Sequence, residues 1–339
     1  MRHPLRALGG LLALGLLGLA LGRYLQGLGE AADAARVVSV YTALTQSAID
    51  ALAPRFTQET GIRVEVVKLG SGEVVQRLQA ETAAPRADVV WSVAGDQLAA
   101  NPEVLERYLP PELEAVAPTY RDAVGDGRWL PYTVLVPVLI VRADLADAPR
   151  RWDQLAAPGL RGRVSAARAD KSGSAYMQLI SILRLHGEER GWALIDGMLE
   201  NEVLSGSSSA VPRLVNDGEA AVGLTLEDAA ARYVRGGGPV RLVYPEDGTC
   251  PAPDGVALVR GAPHREEAQA FIRWALSRRT QTALVTEHGR RSVRADVAPP
   301  SGLPPLERIE ARPYDFAWAA RNQERVLARW RARAAALGK

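Results

Sequence analysis

The sequence of 339 residues is poor in the side chains on which most catalytic sites depend. It contains one cysteine, Cys250, so no disulfide can form within the chain. Among its four histidines, His186, His264 and His288 lie in helical or helix-end segments, and none has a nucleophile at an informative spacing. A Gly-x-Ser-x-Gly elbow, an HExxH motif, a CxxC motif and a Walker A loop are all missing. These gaps favour a binding protein over an enzyme, with no cofactor.

The sequence also lacks a large net charge of either sign. Its formal net charge is +2 with 24% charged residues, so the charge gives no indication of a nucleic-acid partner. A hydrophobic content of 47% is ordinary for a globular protein. The length predicts two domains, or one domain with two lobes.

The N-terminal segment has the pattern of an export signal. Arg2, His3 and Arg6 precede an uncharged run of Ala, Gly and Leu over residues 7–22. We therefore predict a signal peptide over residues 1–34 and a periplasmic protein, with retention as an N-terminal membrane anchor as the alternative. The small-x-small triplet at residues 32–34 lies far beyond the apolar run.

Hydrophobic patterning predicts an α/β fold with two lobes. Apolar runs at residues 37–41, 62–67 and 87–91 alternate with helical segments, which indicates a parallel sheet. A second α/β unit begins near Trp152. The long β segments at residues 128–142 and 241–259 are expected to cross between the lobes. We predict one lobe from residues 35–131 and 253–339, with the C-terminal helix on either lobe, and the other from residues 132–252.

Four strand-to-helix connections are rich in Ser, Thr and Gly: residues 41–46, 70–72, 171–174 and 205–209. In open α/β sheets, ligands bind outside the carboxyl ends of the strands, and helix N-termini suit small anions. The alternative is that these serines only cap helices. The predicted ligand-binding residues, with no catalytic or metal-ligating residue among them, are Tyr41, Thr42, Ala43, Ser71, Gly72, Ser92, Ser172, Gly173, Ser174, Ser207, Ser208, Ser209, Thr225, Glu227 and Asp228.

Several segments resemble the periplasmic solute-binding proteins of ABC importers, in the group that binds ferric ion, aminoethylphosphonate or phosphosugars. The similar segments are residues 38–43, 87–91, 171–176 and 215–230. The resemblance implies a two-lobed periplasmic binding protein of the type II flytrap class, with two crossover strands as its hinge. It also implies a small anionic solute and a membrane permease as partners of a monomer. A ligand sensor and an exported enzyme of similar fold are alternatives.

The resemblance bears on the ligand. Ferric binders of this group typically use adjacent tyrosines at a place where this sequence has Thr225 and Leu226, and a histidine after the first strand that is missing here. Their anion site on a Ser-Gly helix start corresponds to Ser172, Gly173 and Ser174. A phosphonate such as 2-aminoethylphosphonate or an organophosphate is therefore expected, with Glu227 or Asp228 as the acceptor for an amine. A ferric site rearranged around other tyrosines is the alternative.

Overall fold

The computed structural model describes residues 36–121 and 125–339, so the predicted signal segment lies outside the described residues. The strands are β1 (Val37–Thr42), β2 (Arg63–Lys68), β3 (Val89–Ala94), β4 (Leu105–Glu106), β5 (Leu130–Leu135), β6 (Pro137–Arg142), β7 (Val164–Ala167), β8 (Glu202–Ser205), β9 (Val222–Leu226), β10 (Val240–Val243), β11 (Ala252–Val259) and β12 (Arg291–Ser292). The helices are α1 (Gln46–Thr60), α2 (Ser71–Ala80), α3 (Gly95–Ala100), α4 (Pro118–Arg121), α5 (Gly173–His186), α6 (Glu188–Asn201), α7 (Ala210–Asn216), α8 (Glu227–Arg235), α9 (Arg265–Leu276), α10 (Arg278–His288) and α11 (Phe316–Ala336). Within the described residues, no helix is both long and apolar enough to cross a membrane.

The strands form two sheets, each the centre of one lobe. The first has the order β12-β5-β11-β3-β1-β2, with β4 paired to β11, and the second has the order β10-β6-β9-β7-β8. Strand β1 is parallel to β2 and β3, and β7 is parallel to β8 and β9. Each sheet also contains antiparallel strands, so both are mixed. The predicted α/β fold with two lobes is confirmed. We call them lobe 1, around the first sheet, and lobe 2, around the second.

The chain crosses between the sheets inside the two predicted β segments. Strand β5 lies wholly in the first sheet and β6 in the second, so the crossing occurs at Val136, later than the predicted boundary at residue 131. The return falls between β10 and β11, in a segment that contains Cys250. Burial raises the pKa of the Cys250 thiol to about 11, so this lone cysteine stays a protonated, unreactive side chain.

Lobe 1 is packed around a cluster of aromatic side chains. Phe56 of α1 and Trp91 of β3 each meet Phe271 of α9 edge to face. Tyr132 of β5 packs on Trp91 in the same way. Such pairs add about 0.5–1.5 kcal/mol each beyond the area they bury. These aromatic contacts therefore hold α1 and α9 on one face of the first sheet.

The C-terminal helix α11 contacts both lobes. Phe316, at its start, packs on Trp129 of lobe 1, whereas Trp330 belongs to the core of lobe 2. Arg325 and Arg333 of this helix form ion pairs with Glu188 and Asp196 of α6. These two basic side chains of α11 therefore bind acidic side chains of the same chain.

Candidate functional site

A cavity of about 360 Å³ lies between the two lobes. This volume falls in the range of small-molecule sites. It is bounded by the carboxyl ends of strands from both sheets and by the connections that follow them, as the sequence predicted for a ligand crevice. The predicted residues that line it are Ala43, Ser71, Ser92, Ser172, Gly173, Ser174, Ser207, Ser208, Ser209, Thr225 and Asp228. The other side chains that bear charge at its wall are Lys68, Glu73, Lys171, Arg232, Asp254 and Arg290.

Among the helix starts at this cavity, the start of α5 has the features best suited to an anion. Ser172 is the N-cap, and its hydroxyl accepts a hydrogen bond of 3.3 Å from the backbone N–H of Ala175. The Ser174 hydroxyl lies 3.0 Å from that of Ser172. The first N–H groups of a helix have no partner within the helix, and α5 is fourteen residues long. Backbone N–H groups of Gly173 and Ser174, with the helix dipole behind them, are therefore suited to phosphate oxygens.

The serine loop at residues 207–209 is a weaker site. The hydroxyls of Ser207 and Ser209 lie 2.8 Å apart, and the hydroxyl of Ser205 donates to the carbonyl oxygen of Ser207. The serine hydroxyls of the loop therefore form hydrogen bonds mostly within the loop. Helix α7 behind it has only seven residues and therefore a small dipole. The loop lines the cavity, but it has fewer groups to offer a ligand than α5 has.

The start of α2 already carries a carboxylate. The backbone N–H of Gly70 donates to Glu73 Oε2 at 2.8 Å, in a capping arrangement. The hydroxyl of Ser71 accepts a 3.2 Å hydrogen bond from the backbone N–H of Ala94. Since Glu73 brings negative charge to this N-terminus, a ligand anion is favoured at α5 rather than at α2.

The two lobes touch each other beside the anion site. A Cβ added at Gly70 of lobe 1 would lie 2.4 Å from the carbonyl oxygen of Lys171 in lobe 2. A Cβ added at Gly173 would lie 2.6 Å from Ser71 Oγ and 2.7 Å from Ala94 Cβ. Real Cβ atoms do not approach this closely, so the starts of α2 and α5 meet only because glycine occupies both places. This contact closes one wall of the cavity.

A buried ion network forms the floor of the cavity. Arg290 Nη1 lies 2.9 Å from Ser92 Oγ and 3.1 Å from Asp254 Oδ2, and its Nε lies 3.0 Å from Asp228 Oδ2. Burial alone would lower the pKa of Arg290, but the charges of Asp228 and Asp254 hold it above its ordinary value. Ser92 has a φ of 54°, the one positive φ of a non-glycine residue within the described ranges. Its strained backbone aims the hydroxyl at this network.

Two arginines in succession join lobe 1 to the first turn of α8 in lobe 2. Arg290 pairs with Asp228, and Arg291 pairs with Glu227 at 2.7 Å. Glu227 also accepts a 2.6 Å hydrogen bond from the hydroxyl of Tyr244. Glu227 is 3% exposed and does not line the cavity, so its carboxylate holds the lobes together there. The role predicted for it, as acceptor for a ligand amine, has no support in this arrangement.

Three further predicted residues also lie outside the cavity. The Tyr41 hydroxyl donates to Glu81, and the Thr42 hydroxyl donates to the carbonyl oxygen of Trp91. Gly72 borders a separate groove on the far side of the contact between α2 and α5. Tyr41 and Thr42 are the last residues of β1, and their hydroxyls are engaged within lobe 1.

The described residues that line the cavity include few of the side chains that ferric ion prefers. Neither tyrosine nor histidine occurs among the described residues that line the cavity. Two of the chain's other tyrosines, Tyr176 and Tyr244, donate hydrogen bonds to the carbonyl oxygen of Ala319 and to Glu227. Across residues 36–121 and 125–339, no cluster of three or more His, Cys, Asp or Glu side chains could hold a metal ion.

Sequence reasoning found Ser92, Thr225 and Asp228 but missed Arg290, the centre of the floor. The segment from Arg290 to Pro313 is rich in proline and arginine, which favours a loop, yet Arg290 and Arg291 are buried and β12 pairs with β5. Nothing local to the sequence marks these two among so many arginines. One compositional signal was available. The chain has only three lysines, and two of them, Lys68 and Lys171, line the cavity from opposite lobes.

Comparison with known proteins identifies the family to which the chain belongs. The family described as bacterial extracellular solute-binding proteins matches residues 38–291. The Fe(3+)-binding periplasmic protein of Serratia marcescens is 26% identical over 302 residues, which cover 85% of this chain and 88% of that protein. A periplasmic protein of Salmonella typhimurium named for binding 2-aminoethylphosphonate is 28% identical over 257 residues, 72% of this chain and 73% of that protein.

Among solved structures, the periplasmic binding protein AfuA of Actinobacillus pleuropneumoniae, with exogenous fructose-6-phosphate bound, has a TM-score of 0.83. It is 22% identical, and the match covers 86% of this chain and 97% of that one. At this identity the likeness shows the fold, a two-lobed periplasmic binding protein. The resemblance found in the sequence is confirmed, and the chain belongs to the bacterial extracellular solute-binding proteins, the periplasmic ligand-binding family of ABC importers.

Proposed function

We propose that this protein captures a small organic phosphate or phosphonate in the cavity between its lobes and delivers it to the permease of an ABC importer. The observation that carries the proposal is the start of α5, where Ser172, Gly173 and Ser174 present N–H groups and hydroxyls to a cavity without tyrosine or histidine among its described lining residues. We further propose that the protein acts as a monomer in the periplasm.

The charges around the cavity support an anionic ligand. Lys68 and Lys171 approach from opposite lobes, and Arg232 lies on α8. Within the described ranges, none of the three has a carboxylate oxygen within 4.0 Å. The charge of these cations is therefore left for a ligand. Lysine ammonium groups bind phosphate as compact point charges, which suits a ligand that enters and leaves with each transport cycle.

Ferric ion with an anion is the competing ligand, since three relatives are named for iron binding or uptake. A hard trivalent cation needs phenolate, carboxylate or imidazole ligands. The carboxylates nearest the cavity are already engaged, Asp228 and Asp254 with Arg290 and Glu73 with the start of α2. The site therefore supports a phosphate or phosphonate better than it supports iron.

Calorimetric titration tests the proposal. We expect saturable binding of at least one compound from a panel of 2-aminoethylphosphonate, a hexose phosphate, glycerol phosphate and inorganic phosphate, and none of ferric citrate. Recovery of the bound compound unchanged would separate a transport protein from an exported enzyme. A red-brown protein with a tyrosinate-to-iron band, or binding of ferric citrate alone, would overturn the assignment.

Substitution at the helix start locates the anion. Ser174→Asp places a carboxylate where the ligand oxygens are expected and should abolish binding, whereas Ser174→Ala should weaken it by roughly 10-fold or more, the loss of one hydrogen bond to a charged group. Ser301→Asp, in an exposed turn, is the matched control for the added charge. Undiminished binding by Ser174→Asp would show that the anion lies elsewhere.

A further inference from the structure

The floor of the cavity holds polar groups whose hydrogen-bonding capacity is unused. Arg290 is 6% exposed and Thr225 is 2% exposed, and both line the cavity, one from each lobe. Arg290 uses Nε and Nη1, but its Nη2 group has no acceptor among the described residues. The Thr225 hydroxyl and Asp228 Oδ1 likewise have no hydrogen-bond partner within the described part of the chain. The three atoms are not sealed in the core but face the open cavity, so a bound ligand can reach them and supply the missing hydrogen bonds.

The charge of this floor does not suit a second anion. The single positive charge of Arg290 is flanked by Asp228 at 3.0 Å and Asp254 at 3.1 Å. A phosphate placed here would meet two carboxylates in a buried setting. The ligand anion is therefore favoured at the start of α5 and near Lys171, and a different part of the ligand meets the floor.

The open groups include both donors and acceptors. Arg290 Nη2 can only donate, Asp228 Oδ1 can only accept, and the Thr225 hydroxyl can do both. An alkylammonium group has donors only, so it would satisfy Asp228 but leave Arg290 facing another cation. A hydroxyl group donates one hydrogen bond and accepts others, so it satisfies both charged side chains together.

We propose that Arg290, Thr225 and Asp228 form a second subsite that binds a hydroxyl group of the ligand. It makes the protein selective for phosphate esters of polyols or sugars over aminoalkyl phosphonates. This inference rests on the proposed function, because it assumes that the phosphate occupies the start of α5. It also reassigns Asp228 from a partner for an amine to a partner for a hydroxyl group.

Matched ligands test the subsite without changing the protein. We would titrate the full chain with glucose 6-phosphate against cyclohexylmethyl phosphate, and with glycerol 3-phosphate against propyl phosphate and 3-aminopropyl phosphate. Each set keeps the phosphate and changes the hydroxyl groups. The hydroxylated member should bind at least 10-fold more tightly in one set or both, because its loss leaves hydrogen bonds to charged groups unmade. Equal affinities within both sets, or tightest binding by the amine, would overturn the subsite.

A substitution of equal shape identifies the residue. Thr225→Val removes a hydroxyl without a protein partner, so lobe 2 should keep its stability in thermal unfolding. The variant should lose roughly 10-fold affinity for the hydroxylated ligand and little for its deoxy analogue. Thr286→Val, on an exposed face of α10, is the control. An equal loss for both ligands, or none for either, would contradict the subsite. Failure of every phosphate ester to bind the parent chain would instead contradict the proposed function.

Discussion

Replacing Gly173 by alanine should prevent the two lobes from closing fully on a ligand. Each lobe should nevertheless stay folded. The added Cβ would lie 2.6 Å from Ser71 Oγ, 2.7 Å from Ala94 Cβ and 2.8 Å from Ser71 Cβ. Ordinary contacts need about 3.5–4.0 Å between carbon atoms, so the lobes must separate by about 1 Å at this point. All three atoms belong to lobe 1, whereas Gly173 belongs to lobe 2. Opening the cleft therefore relieves the clash more easily than a change within one lobe.

The size of the effect follows from the cost of overpacking. Inserting a methyl group into a filled contact costs about 1–3 kcal/mol. If that cost falls on the closed state alone, apparent affinity drops by roughly 5- to 150-fold. Alanine is no worse than glycine within a helix, so the free energy of unfolding of lobe 2 should not fall.

Calorimetry with a hexose phosphate, together with thermal unfolding, measures both quantities. Gly159→Ala is the matched control in lobe 2, because a Cβ there would meet no atom within 4 Å. Small-angle X-ray scattering should show that the parent chain becomes more compact on binding and that Gly173→Ala does so less. Parent-like affinity and compaction in Gly173→Ala, or a large loss of stability without ligand, would refute the reasoning.

Two other predictions come from charges near the cavity. Glu73→Gln removes the carboxylate from the start of α2 and should tighten binding of a phosphate ester by about two- to fivefold, the usual effect of an exposed charge at a helix end. The gain should be smaller at high salt, which screens exposed charges. Weaker binding in calorimetry would contradict this prediction. Glu227→Gln leaves Arg291 buried without its carboxylate and should lower the free energy of unfolding by about 3 kcal/mol in chemical denaturation. It should not distinguish aminoalkyl from alkyl phosphonates, as a contact with the ligand amine would require.

The fold could be predicted because its signals are local. The alternation of apolar residues in strands such as 62–67, and glycine after helices as at Gly61, reflect backbone geometry that neighbours in sequence determine. The start of α5 at Ser172, Gly173 and Ser174 is equally local, and it lines the cavity as predicted. Strand ends were less certain. Strand β3 runs from Val89 to Ala94, later than the predicted 87–91, because its last residues pair with β11, far away in sequence.

The arginine at the centre of the floor could not be predicted from the sequence, although Ser92, Thr225 and Asp228 around it were, because its contacts are distant in sequence. Arg290 meets Ser92 across 198 residues and Asp228 across 62. Pairing of β12 with β5 places Arg290 and Arg291 beside α8, and a strand of two residues leaves almost no periodic signal. The sequence also could not tell Glu227 from Asp228, which were both predicted to contact a ligand. In the structure, Glu227 pairs with Arg291, whereas Asp228 lines the cavity.

Asp96 makes the contact between α3 and the segment before α11 sensitive to pH. Its carboxylate is buried in lobe 1, where it accepts hydrogen bonds from the Tyr314 hydroxyl and the backbone N–H of Gln97. Burial raises the pKa of Asp96 from 3.8 to about 6. A carboxyl group with a raised pKa binds its proton more tightly in the folded chain. Its effect therefore favours folding at low pH and is lost as the pH rises from about 4 to 6.

The difference between the two pKa values corresponds to about 3 kcal/mol of unfolding free energy. Other groups titrate in the same range, among them Glu202, whose pKa burial raises to about 7. Chemical denaturation of the parent chain and of Asp96→Asn at pH 4, 5, 6 and 7 isolates the one carboxylate. Asparagine retains an acceptor but has no proton to lose. The variant should therefore gain about 2 kcal/mol relative to the parent between pH 4 and pH 7, because part of the effect is already lost at pH 4. A difference between the two proteins that stays constant with pH would mean that folding does not shift the pKa of Asp96. Tyr314 would then be its compensating donor, and the contact between lobe 1 and the segment before α11 would be a permanent one.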